Sequence, residues 1–82
     1  MRVPIKVLNI GSNQTQVHLG SDKTFLISYK TVVAAHIDGV WMRTNVKWSK
    51  TTSKHINGWL PVGVDVQKVN QEKLEYEFGY DA

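Results

Sequence analysis

The sequence has no cysteine and only two prolines among its 82 residues. A disulfide framework, a thiolate metal site and a cysteine nucleophile are therefore excluded. Long apolar runs are also missing. The longest, Val32-Val33-Ala34-Ala35, falls far short of the roughly 20 residues that span a bilayer, and no apolar segment follows Arg2 as it would in a secretory leader. The expected location is the cytoplasm, and no contact with a membrane is expected. Acidic residues are scarce over most of the chain. Residues 1–64 hold eight Lys or Arg and two acids, a balance of +6, whereas residues 65–82 hold two Lys and five acids, a balance of −3. Between Gly39 and Val64 stand Arg43, Lys47, Lys50 and Lys54 without a single acid.

What is present is aromatic bulk. Three Trp, three Tyr and two Phe each have about 150–250 Å² to bury, enough to build much of a small core without a metal or disulfide staple. A chain of this size buries only about 60–65% of the surface its unfolded form exposes. Residues 1–82 are accordingly read as one α+β domain with no room for an interdomain cleft.

The first half alternates with period two, the mark of a half-buried strand. An initial strand covers residues 5–10 and ends at Gly11-Ser12-Asn13. Residues 15–19 and 25–29 form a hairpin across Gly20-Ser21-Asp22-Lys23. Residues 32–37 and 40–46 flank Asp38-Gly39, a pair suited to a type I′ turn because both central positions need positive φ. In the returning strand Val40, Met42, Thr44 and Val46 are assigned to the core. Trp41, Arg43, Asn45 and Lys47 then form a basic, aromatic surface.

After Trp48 the spacing becomes helical. Thr52, Ile56, Trp59 and Leu60 share one stripe with His55 at its edge. This predicts a helix over 52–60, capped by Ser49, Thr51 or Thr52 and stopped by Pro61. Trp48 and Trp59 are assigned to the core. Val62, Val64 and Val66 suggest one more strand. Asn70 offers an N-cap for a short helix over 71–78, in which Leu74 and Phe78 align and Gly79 closes the end. The expected fold is a mainly antiparallel sheet of about five strands with one helix packed on it and a short C-terminal helix.

Two stretches carry a family likeness: Ser28-Tyr29-Lys30-Thr31-Val32-Val33-Ala34, and Trp48-Ser49-Lys50-Thr51-Thr52-Ser53-Lys54-His55-Ile56-Asn57-Gly58-Trp59-Leu60. With Arg43-Thr44 between them, the chain from Val17 to Leu60 resembles a family of small uncharacterised proteins found chiefly in phages and mobile elements. The resemblance implies a phage-like origin and a single domain. It supplies no catalytic residue.

The residues themselves argue against an enzyme. His18, His36 and His55 lack the short spacing of a metal site, and neither a metal nor another cofactor is expected. Ser53 and His55, two apart on a helix, cannot face each other as nucleophile and base. The carboxylates of Glu72, Glu75 and Glu77 show no sign of a buried pair. The basic stretch is different. Arg43, Lys47, Lys50 and Lys54 with Trp41 combine phosphate contacts with a stacking ring. The hydroxyls of Thr51 and Thr52 at the predicted helix start could help hold an anion, though simple capping explains them equally, and the same charges also suit a solvated surface. The glycines of a Walker A loop are missing. Read this way, the chain is a small non-enzymatic phage accessory protein that binds nucleic acid or another phosphate-rich partner. A protein-binding inhibitor of a host enzyme or defence complex is the alternative, with the same surface meeting an acidic protein. A nucleotide sponge, the third class, requires a deep pocket.

Overall fold

The computed structural model describes residues 5–20 and 22–80. Ser21, within the predicted Gly20–Lys23 connection, lies outside the described residues, as do both ends of the predicted 1–82 domain. Among the described residues six strands form one sheet: β1 (Ile5–Gly11), β2 (Gln14–Leu19), β3 (Lys23–Ser28), β4 (Thr31–Ile37), β5 (Val40–Thr44) and β6 (Val66–Val69). They lie side by side in sequence order. The first five make an antiparallel meander, while β6 runs parallel to β5. A parallel neighbour requires a crossover, and helix α1 (Lys50–Trp59) supplies it. The sheet thus has one strand more than expected, and one parallel pair.

Asp38 and Gly39 take φ values of 51° and 82°, as the predicted turn demands, and β4 pairs with β5 across them. One helix then covers each face. On one side Leu26, Val33 and Ala34 are buried under Ile56, with Trp59 and Leu60 packed alongside. On the other, Phe25, Val32, Ala35, Ile37 and Met42 are buried with Leu74 of helix α2 (Gln71–Glu75), and Phe78 packs against them. The run from Val32 to Ala35 serves both faces because the β3–β4 register shifts between Leu26 and Ile27. That bulge leaves Val33 and Ala34 together under α1.

Four expectations are corrected. Strand β5 ends at Thr44 instead of residue 46, because the Thr44 hydroxyl accepts the Val46 N–H at 3.1 Å and Asn45 N–H donates to Val69. The alternation is lost there, so Trp48 is 48% exposed rather than in the core. Val62 is fully exposed and Gly63 turns with φ 84°, which moves the last strand from the Val62–Val66 segment to Val66–Val69. The 71–78 helix is α-helical only to Glu75; a π-helical turn, Tyr76–Tyr80, follows and contains Gly79 rather than ending at it.

Helix α1 starts two residues before the predicted position. Ser49 is its N-cap and accepts the Thr52 N–H at 3.1 Å. At the other end Leu60 N–H reaches the Ile56 carbonyl, and Pro61 cannot continue the ladder. Asn70 caps α2 by accepting the Lys73 N–H at 2.8 Å. No helix among the described residues is long and apolar enough to cross a membrane.

Candidate phosphate-binding surface

Helix α1 starts beyond the carboxyl end of β5, and the loop between them carries Lys47 and Trp48. The β5–β6 register sets Arg43 beside Lys68. Arg43 shares its face with Trp41, the α1 side of the sheet, because side chains two apart on a strand point the same way. An open depression of about 250 Å³ forms there, lined by Arg43, Lys47 and Lys68 together with Ser53 of α1 and Asn45. No acidic side chain lines it among the described residues. Lys50 precedes Ser53 by three residues and Lys54 follows Lys50 by four, so both extend the positive surface up the outer side of the helix. Both are exposed, as is Thr51. Glu72, Glu75 and Glu77 belong to the C-terminal helical segment, whose Leu74 and Phe78 pack on the opposite face.

The structure therefore brings Arg43 and Lys47 together, sets Lys50 and Lys54 beside them, and adds Lys68, which the sequence reading missed. The missed signal was the strand–helix–strand order, which calls for a parallel pair and would have set β6 against β5. Thr52 is not on this surface. It is buried, its N–H is taken by Ser49, and its hydroxyl lies 3.2 Å from that of Ser28.

Trp41 lies on the expected face but is half-buried there. Its ring stacks on His36 at 3.9 Å and meets Trp59 edge-on at 5.4 Å, so α1 partly covers it. The neighbouring polar groups form a linked row. Trp59 Nε1 donates to Gln16 Oε1 at 2.7 Å. This turns the Gln16 amide nitrogen toward His18 Nε2, 2.8 Å away. His18 Nε2 must then accept, leaving its Nδ1–H to donate to Thr24 Oγ1 at 3.2 Å.

His55 does make a structural hydrogen bond. Its Nδ1 and the buried Ser28 hydroxyl are 2.8 Å apart, and with Thr52 they tie α1 to β3. No carboxylate hydrogen-bonds to His55 among the described residues. Ser28 and Thr52 also border a second open depression of about 240 Å³ between Tyr29 and Trp48.

The ionisation of Glu77 is shifted. Burial raises its pKa, but hydrogen bonds from Lys73 and Lys23, with the charges of both, outweigh that and leave its carboxyl below the ordinary value. The two ion pairs measure 3.3 and 3.4 Å and lie away from the basic depression.

A profile for a family of unknown function, DUF8033, matches residues 5–77. The chain belongs to that family. The match runs from β1 into the π-helical turn, so the DUF8033 unit takes in the whole sheet and both helices. No curated protein and no solved structure matches the chain.

Proposed function

We propose that this DUF8033 protein is a small, non-enzymatic accessory protein of phage type that binds nucleic acid through the basic depression and the outer side of α1. The observation that supports this reading is the gathering of Arg43, Lys47 and Lys68, from three separate segments, around an acid-free hollow with the Ser53 hydroxyl at its wall. Each cation can neutralise one phosphate, and Arg43 can present two parallel donors to its oxygens. Lys50 and Lys54 add two further contacts along a backbone that passes over the helix. Trp41 is less free to stack on a base, because His36 stacks on its ring and Trp59 meets it edge-on.

The test is a triple substitution, R43Q/K47Q/K68Q, assayed by anisotropy with labelled DNA and RNA oligonucleotides at low salt. The variant should retain its circular dichroism spectrum and lose binding. Wild-type protein with no affinity for either nucleic acid would overturn the proposal. Nuclease-resistant capture of an acidic protein, lost in the triple variant, would instead assign the surface to a protein partner.

A further inference from the structure

The β5–α1 loop divides two hollows. Lys47 lines the basic one, and the next residue, Trp48, lines the depression of about 240 Å³. The second hollow differs in chemistry. Tyr29 and Trp48 stand at its sides, 52% and 48% exposed. Val33, Ser28, Thr31, Ser49 and Thr52 also line it, and among the described residues no charged one does. Its volume lies below the 300–1,000 Å³ usual for small-molecule clefts, which suits a single flat ring better than a larger ligand.

The Trp48 ring is exposed, yet it is held in place. Its Nε1 donates to Gln71 Oε1 at 3.3 Å, and the Gln71 amide in turn donates to the Val32 carbonyl at 2.7 Å. A solvent-facing indole fixed in this way loses little freedom when another ring stacks on it, which is how preorganisation favours binding. The hydroxyl of Thr31, a partly exposed lining residue, offers a donor and an acceptor to the polar edge of that ring.

We infer that this hollow is a nucleobase subsite, and that the partner of the basic surface is single-stranded nucleic acid. The inference rests on the reading given under Proposed function. A strand with its phosphates over Arg43, Lys47 and Lys68 can place a neighbouring base against Trp48, because Lys47 and Trp48 are consecutive residues of one loop and each lines one of the two hollows. In a duplex the bases are paired and stacked on one another, so no base is free to enter. Aromatic stacking of this kind tolerates any sequence, since every base has a π face.

The experiment compares wild-type protein with W48A, W48F and Y29G, using a 12-nucleotide oligo-dT and a 12-base-pair duplex at one low salt concentration. The wild type should prefer the single strand. W48A should weaken single-strand binding about 5- to 150-fold and leave duplex binding unchanged, while W48F retains most of the affinity. Y29G removes the second ring and relaxes a backbone φ of 58°, so it should weaken single-strand binding without loss of fold. The inference is overturned if W48A and Y29G leave single-strand affinity unchanged, or if they weaken single strand and duplex equally. Either of those results would leave the phosphate-binding proposal standing, whereas wild-type protein that binds neither oligonucleotide removes both.

Discussion

Replacing Ile56 by Ala tests the seam between α1 and the sheet. Ile56 is 1% exposed and packs against Leu26, Val33 and Ala34. The substitution removes three carbon groups, at about 0.8 kcal/mol each for transfer alone. The hole they leave adds a further term, and Ala34 has too little side chain to fill it. The expected loss is therefore about 3 to 4 kcal/mol, within the usual 2–5 for such truncations. A domain of this length has a total stability of about 4 to 12 kcal/mol, so the variant should be visibly weakened. Lys54→Ala, on the exposed side of the same helix, should change stability by less than about 0.5 kcal/mol. Urea unfolding followed by circular dichroism reads both, with the midpoint moving and the slope preserved. Equal midpoints for the two variants would refute the assignment of the helix faces.

Ser28→Ala should cost about 1 to 3 kcal/mol, because it leaves His55 Nδ1 without its partner, although Thr52 keeps its contact with Ser49; an unchanged thermal midpoint would show that the α1–β3 tie has no weight. Glu77→Gln should cost at most about 1 kcal/mol at neutral pH, since its ion pairs are partly solvated. The folded carboxyl is depressed, so its contribution exists above the unfolded-state pKa and is lost as pH falls through the folded one. The stability difference between variant and wild type should therefore vanish in acid, and a difference that grows on acidification would contradict this. His18 should be the Nδ1-protonated tautomer at pH 8 in nitrogen-detected NMR, and the opposite tautomer would mean that Trp59 does not orient Gln16.

Local signals in the sequence reached as far as local physics governs. The Asp38-Gly39 turn, the stripe through Ile56 and the Asn70 cap depend on neighbours within a few residues, and each could be read directly. Trp48 could not. Its assignment extended an alternation past Thr44, where a side-chain hydroxyl takes the next backbone N–H and ends the strand. The segment around Val62 and Val64 has strand-like spacing, but Pro61 and the positive φ of Gly63 give a turn there, and the real strand begins at Val66. Lys68 was hidden for the same reason. Its place beside Arg43 comes from parallel pairing across 25 residues, which period-two patterning does not encode. Trp41 was correctly set on the face with Arg43, but the arrival of Trp59 over it is a tertiary event.

Salt dependence of binding tests the phosphate-contact claim most directly. Observed affinity for a single-stranded oligonucleotide should fall linearly with salt on a log-log plot. The slope should be about −2 if only Arg43, Lys47 and Lys68 neutralise phosphates, and about −3.5 if Lys50 and Lys54 join them. Removing Lys68 alone with K68Q should flatten the slope by about 0.7. A slope near zero, or one that K68Q leaves unaltered, would contradict the account.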